Sequence, residues 1–261
     1  MAKKKIFVHV GLHKTGTTFL QEEIFSKLKN VNYIHQPRTF LQKDIYSKVP
    51  KVRVSFFKPD KTLDDIPEFE PNLSSDKINI ISRESLSGAP SVGYIDGDVR
   101  YTIADRIKKN YPDSKIIVGL REKNSWLYSS YGQYVRSGGT FSYNDWFEKV
   151  FDHKYLDFDG YIDYLEELFD DVYVYKLEEL KSNTKVFVNN LCDFIGVNIP
   201  KYELRVHNKG FDEKQMKLAR FLNKFYRSQL NPRGIIFRHI LNPRKIIKLF
   251  SKNKENSVKN S

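Results

Sequence analysis

Between Gly11 and Thr18 the chain reads GLHKTGTT, a set of residue types able to hold a phosphate-like anion. The apolar run Ile6–Val10 precedes it as a strand, and Phe19–Leu28 follows with apolar residues at helical spacing. A glycine-bearing turn between a strand and a helix start leaves backbone N–H groups converging on one point, at the positive end of the helix dipole. Lys14 adds a mobile positive charge, and Thr17 and Thr18 add hydroxyl donors. In a nucleoside-triphosphate loop, G-x-x-x-x-G-K-[ST], lysine directly follows the second glycine. Gly11 and Gly16 have that separation, but Thr17 stands in the lysine position and Lys14 lies two residues before Gly16. An ordinary strand-to-helix turn with a surface lysine is the plainer alternative.

Two further strand ends carry reactive side chains. Lys115–Leu120 (KIIVGL) reads as a buried strand ending at Arg121, whose guanidinium can fork onto phosphate oxygens. The strand INIIS runs into Glu84, where a partly desolvated carboxylate could have its pKa raised and act as a base. The alternative pairs Glu84 with Arg83, Arg100 or Lys14 in a structural salt bridge. His13 is the competing base, or a cap on the turn; His9 belongs to a buried strand. Gln133, Tyr134 and Arg136 are candidate acceptor contacts, with plain helix surface the simpler reading for most of them.

The string Lys14-Thr15-Gly16-Thr17-Thr18 resembles the Lys-[Ser/Thr]-Gly-Thr-Thr loop of sulfotransferases that use 3′-phosphoadenosine 5′-phosphosulfate (PAPS). The family's 3′-phosphate motif, a strand ending in arginine with a serine eight positions on, is matched by Arg121 and Ser129. A third echo, Asp171 to Val197 (DVYVYKLEELKSNTKVFVNNLCDFIGV), looks like the family's strand, Glu-x-Leu turn and helix ending in Phe-[Leu/Ile]-Gly, and reads as scaffold. The resemblance covers roughly Ile6 to Lys224. It implies that Lys14, Thr15, Gly16, Thr17 and Thr18 grip the 5′-phosphosulfate, that Arg121 and Ser129 hold the 3′-phosphate, and that no metal is needed. Glu84 resembles a glutamate that carbohydrate sulfotransferases often carry at a comparable strand end. The second phosphate-binding Arg-Lys-Gly string of the cytosolic enzymes has only a weak echo in Asn208-Lys209-Gly210.

The elements that must position these residues alternate. Strands are expected at Ile6–Val10, Asn32–His35, Ile78–Ser82, Lys115–Leu120 and Val172–Lys176. Helices are expected at Phe19–Leu28, Val99–Asn110, Ser125–Arg136, Tyr143–Val150, Tyr161–Phe169 and Thr184–Ile195. The expected fold is α/β: a mostly parallel sheet with helices on both faces, a P-loop-like three-layer arrangement, with ligands beyond the carboxyl ends of the strands. Lys43–Asp76, with four prolines and an acidic run, reads as a long excursion between strands. Over Asp212–Leu230, the residues Leu218, Leu222, Phe225 and Tyr226 form a helical stripe expected to pack on the core.

A chain of 261 residues with 40% hydrophobic and 14% aromatic content can bury a substantial core, which excludes wholesale disorder. We divide it into an α/β domain over residues 1–230 and a basic helical extension over 231–261. The lone Cys192, in an apolar helical segment, fits a reducing compartment and a small buried hydrophobe better than a nucleophile. No signal-peptide core and no apolar run of the ~18 residues of a membrane span is seen, so a cytoplasmic protein is the default. No His, Cys and Asp residues stand at metal-ligand spacing.

The net charge of +12 is uneven: residues 201–261 hold 16 basic and 4 acidic residues, while the remaining 28 basic and 28 acidic residues cancel. Arg233–Lys254 mixes Ile, Phe and Leu with basic residues. That suits a helix on anionic lipid, and equally a solvated tail; nucleic acid ranks last because base-stacking aromatics are not interleaved. The leading reading is a PAPS-dependent sulfotransferase acting on a carbohydrate or glycolipid hydroxyl, or an amine, at or near a membrane's cytoplasmic face. A nucleotide-dependent kinase on a P-loop fold, and a non-catalytic nucleotide-binding or membrane-adaptor protein, are the alternatives.

Overall fold

Apolar residues alternate between two faces along the central strands, and that alternation sets the layers. The computed structural model describes residues 4–35, 72–88, 90, 97–204, 210–228, 230–231 and 233–237. The chain forms two units. One comprises Met1–Pro90, Tyr94–Trp126 and Asp152–His207; the other comprises Ser91–Gly93, Leu127–Phe151 and Asn208–Ser261.

The first unit is built on a parallel sheet of five strands, β1 (Ile6–His9), β2 (Val31–His35), β3 (Ile78–Ser82), β4 (Lys115–Leu120) and β5 (Val172–Lys176), in the order β2-β3-β1-β4-β5. All four pairings are parallel, with Val8 beside both Ile81 and Ile116. Phe7, Ile80, Ile117 and Tyr175 join one buried cluster with Leu20, Ile24 and Phe25, with Leu177 and Leu180 of α6 (Leu177–Ser182), and with Phe187, Leu191 and Cys192 of α7 (Thr184–Ile195). Their strand neighbours Val8, Ile81, Ile116 and Val118 point the other way and are fully buried too, so the sheet is covered on both faces. Helices α2 (Val99–Asn110) and α5 (Phe158–Leu168) pack on one another and bury Ile103, Ile107, Tyr161 and Leu165. This is the α/β sheet flanked by helices that the alternation of elements predicts.

The chain leaves β1 for β2 and β3 on one side, then crosses to β4 and β5 on the other. The carboxyl ends of β3, β1 and β4 therefore meet where the strand order reverses, the place at which such sheets bind ligands. The helix after β1 is irregular: an α-helical turn, α1 (Thr17–Phe19), passes into a π-helical stretch over Leu20–Ile24 and a 3₁₀ turn over Phe25–Lys27. It turns Gln21 inward, where its side-chain amide donates to Ser82 Oγ at 3.0 Å. Cys192 is fully buried, and burial pushes its thiol up to about 11, as befits a packing residue.

In the second unit, Tyr131 and Tyr134 of α3 (Lys123–Arg136) pack with Tyr143 and Trp146 of α4 (Tyr143–Lys149), Tyr131 and Trp146 having ring centroids 5.5 Å apart. Helix α8 spans Glu213–Asn223 and stops short of the predicted Leu230; two short strands, β6 (Tyr226–Arg227) and β7 (Ile236–Phe237), pair beyond it. Its buried side is Met216, Ala219 and Asn223, which corrects the expected stripe: Leu218 and Phe225 are exposed, while Tyr226 is buried. The physical reason is Asn223. Its amide is fully buried and donates to Val135 O at 2.8 Å and Gly139 O at 2.9 Å, which fixes the rotation of the helix against the demand of its apolar residues.

Candidate active site

The loop after β1 is shaped by three left-handed residues, Gly11 (φ 26°), Lys14 (φ 69°) and Gly16 (φ 91°). Gly16 caps the helix start in a conformation that a side chain resists, and a Cβ there would sit 2.8 Å from Leu180 Cδ2. Helix α6, within the stretch read from sequence as scaffold, floors the loop. The first helical bond runs from Leu20 N–H to Gly16 O (3.3 Å), so by helix geometry the N–H groups of Thr17 and Thr18 have no partner inside the helix. Thr17 Oγ1 is buried with no hydrogen-bond partner among the described residues, so an oxygen-rich anion in this turn would meet a waiting donor. Thr15 instead points inward, its hydroxyl donating to Leu12 O at 2.6 Å.

Lys14 is the unusual residue. A left-handed backbone costs a non-glycine residue about 1–2 kcal/mol, and here both of its flanking peptide groups are held from other strands. Its N–H donates to Glu84 Oε1 at 3.1 Å, from the turn after β3. Its carbonyl accepts from Arg121 Nη1 at 3.3 Å, from the end of β4. Three strand ends thus converge on one peptide segment, bringing together Lys14, Glu84 and Arg121.

Glu84 and His13 form a pair, with Nδ1 3.4 Å from Oε2. The other imidazole nitrogen, Nε2, lies 2.7 Å from Gly88 O; a carbonyl only accepts, so Nε2 carries a proton. Burial alone would push the Glu84 carboxyl up. The opposing charge and hydrogen bond of His13, the Lys14 N–H and the Lys14 charge overcome it and hold the group at about 2. Glu84 is thus ionised, the reverse of the raised pKa anticipated for a base. It pairs with His13, and Lys14 adds its backbone N–H and its charge. Arg100 is buried elsewhere, donating to Lys154 O and Asp157 O and stacked on Tyr101 and Tyr161.

Arg121 also donates through Nε (2.9 Å) and Nη2 (2.6 Å) to Ser125 Oγ, a residue that motif spacing overlooked. Ser129 stands half-buried one turn further along α3. Trp126 was missed too: its Nε1–H donates to His13 O at 2.8 Å. So was Ser87, whose hydroxyl donates to Gly11 O at 2.9 Å. Trp126 lies in the segment EKNSWLYSSYGQY that follows Arg121, but only the fold shows that an indole reaches 113 residues back. Tyr134 is buried, its hydroxyl accepting from the N–H groups of Thr140 and Phe141, and Arg136 donates to Gln133 Oε1 at 3.0 Å. Lys209 and the segment Arg238–Lys254 lie outside the described residues.

Beneath the loop runs a buried polar chain. His9 Nδ1 lies 2.8 Å from Ser82 Oγ, and its Nε2 lies 3.4 Å from the Tyr175 hydroxyl. Gly119 gives the Tyr175 ring its room, since a Cβ there would lie 2.3 Å from that ring. Burial lowers the His9 pKa to about 4, with Glu84 opposing, so the imidazole is neutral at pH 7. A separate cavity of about 390 Å³, lined by Lys5, Phe7, Ser114, Lys115, Asp171 and Phe194, opens at the amino ends of β1 and β4, the opposite end of these strands from the loop.

No family model and no curated protein matches the sequence. Among solved structures, the chain is similar to a sulfotransferase from Alicyclobacillus acidocaldarius, at 17% identity and a TM-score of 0.52, over 79% of this chain and 87% of that one. It also resembles mouse sulfotransferase SULT7A1 complexed with PAP (15% identity, TM-score 0.42, 76% of this chain and 60% of that one). The third is the sulfotransferase domain from the curacin biosynthetic pathway (16% identity, TM-score 0.42, 75% and 74%). The likeness to the first of these shows the fold, a parallel α/β sheet flanked by helices.

Proposed function

We propose that this protein transfers a sulfuryl group from PAPS to an acceptor hydroxyl or amine on a carbohydrate or glycolipid, at the cytoplasmic face of a membrane that its basic tail contacts. One observation carries the reading: a strained Lys14 held between Glu84 and Arg121, beside an orphaned Thr17 hydroxyl, at the point where three strand ends meet. The donor supplies an activated sulfuryl group on a phosphate leaving group. Gly16, Thr17 and Thr18 hold the 5′-phosphate through backbone N–H groups and hydroxyls, with Thr15 buttressing the turn from within. Lys14 offsets the charge that grows on the departing oxygen, the kind of contribution that dominates such transfers. Arg121, braced by Ser125, keeps donors for a 3′-phosphate, with Ser129 assisting. One member of the pair accepts the acceptor's proton: Nδ1 of a neutral His13, whose Nε2 keeps its own proton on Gly88 O, or the Glu84 carboxylate. Their 3.4 Å contact is the loose link, and opening it presents an imidazole nitrogen or a carboxylate oxygen to an incoming O–H. Rate–pH profiles of Glu84→Gln and His13→Asn separate the two, and a wild-type profile in both removes the pair from the mechanism.

The test of the donor is thermal stabilisation by 3′-phosphoadenosine 5′-phosphate, compared with ADP and ATP, with and without Mg²⁺. A ligand at 100 times its dissociation constant adds about 2.7 kcal/mol, a shift of several degrees. The expected result is a Mg²⁺-independent shift that Arg121→Ala abolishes. A shift with ATP–Mg²⁺ alone would overturn the reading in favour of a kinase.

A further inference from the structure

We propose that the outward face of α8 is a docking surface for an anionic lipid bilayer. The inference rests on the membrane-contact part of the proposed function and moves that contact from the tail to a built face of the second unit. The face follows from Asn223. With Met216, Ala219 and Asn223 turned inward, the opposite side of the helix presents Leu218 (37% exposed), Phe221 (56%) and Phe225 (43%), the two phenyl rings 5.4 Å apart edge to face. The chain returns beside them: Ile236 N–H donates to Phe225 O at 2.9 Å, which brings Ile235, 80% exposed, next to Phe225. Four large apolar side chains in contiguous order on a polar surface mark an interaction site.

Charge selects the occupant. Lys214, Lys217, Lys224, Arg227 and Arg233 are exposed around this face, and Asp212 and Glu213 are its only acids between residues 210 and 237. A second copy would bring an equally cationic face against it. The chain's own residues 238–261 carry seven basic residues against one acid and are repelled in the same way. An anionic bilayer satisfies both features, accepting phenyl and aliphatic side chains among its acyl chains while its headgroups meet the lysines. No helix among the described residues is long and apolar enough to cross a membrane, so the contact lies on the surface.

The experiment is flotation of the full chain with phosphatidylcholine vesicles, with and without a one-third fraction of phosphatidylglycerol. Binding to the phosphatidylglycerol vesicles that weakens in high salt is expected, with little binding to phosphatidylcholine alone. The triple variant Leu218→Ser/Phe221→Ser/Phe225→Ser should lose binding roughly tenfold or more while melting as the wild type does, because these side chains are already exposed. Phe221→Trp should report quenching by brominated lipid. Equal binding of the triple variant, or an unquenched Phe221→Trp protein on vesicles, would overturn the proposal. So would a concentration-dependent dimer that the triple variant abolishes, a fall in melting temperature showing that the chain itself covers the face, or binding to duplex DNA in place of vesicles. Stabilisation by 3′-phosphoadenosine 5′-phosphate, measured on the same variant, tests the sulfuryl-donor reading separately and should be unchanged.

Discussion

The loop after β1 and helix α8 both owe their conformation to polar groups, with opposite consequences. At the loop, Glu84, Arg121, Ser87 and Trp126 converge on backbone groups of residues 11–14 and hold a strained segment in place, so polar contacts organise a polar site. In α8 one buried amide, Asn223, takes the inward position and leaves Leu218, Phe221 and Phe225 in solvent. The contrast teaches that hydrogen-bond satisfaction outranks apolar periodicity where the two conflict. An unpaired buried amide costs more than leaving a partly exposed phenyl in water.

The largest expected effect breaks the loop side of this comparison. Lys14→Ala should lower turnover ~100–1,000-fold, about 3–4 kcal/mol in the barrier, with the fold intact by circular dichroism. Transfer of labelled sulfate from PAPS to a panel of carbohydrate acceptors measures it, and retained turnover would remove Lys14 from its role. Next comes the buried chain beneath the loop. The folded pKa of His9, about 4, lies below the ordinary imidazole value of about 6.5, so the unfolded chain takes up the proton first as pH falls. Stability is therefore lost between about pH 6.5 and 4, on the order of 3 kcal/mol from this group, and no further below. Denaturant midpoints across that window should fall in the wild type and stay flatter in His9→Asn; matching curves would show that burial of His9 is not what sets the dependence.

Glu84 has its own, lower window. Its pKa is held down to about 2 against an ordinary 4.5, so its contribution is present above pH 4.5 and fades as pH falls toward 2. Glu84→Gln should flatten only that part of the curve. On the other side of the comparison, Asn223→Ala leaves the Val135 and Gly139 carbonyls without their donor and should cost about 1–3 kcal/mol in urea unfolding. A neutral result would mean that packing, not the amide, sets the rotation of α8. The smallest effect is Lys14→Gly. Relief of the left-handed strain, offset by glycine's greater unfolded-state freedom, should raise stability by no more than about 1 kcal/mol.

All five sheet strands stand at or within one residue of the segments read from sequence, because short β-branched runs bounded by glycine, charge or turn residues have few other ways to bury themselves. The loop was legible for a related reason. Gly16 adopts a conformation that other residues resist, so a glycine at that spacing betrays the backbone path. Ser125, Ser87 and Trp126 were not legible, because their roles depend on distances that only folding creates. The pairing of Glu84 with His13 rather than Arg100 was hidden likewise, for it turns on Arg100 being drawn between Tyr101 and Tyr161.

Local chemistry along the chain, the order of strands and helices, the glycine-bearing turn after β1 and the basic bias of the last quarter follow from sequence, since each depends on near neighbours or on simple sums of charge. The ionised state of Glu84, the strain at Lys14 and the outward rotation of α8 were decided by tertiary structure alone. Each is a balance between burial and a partner brought from far along the chain, and no local pattern records which partner arrives.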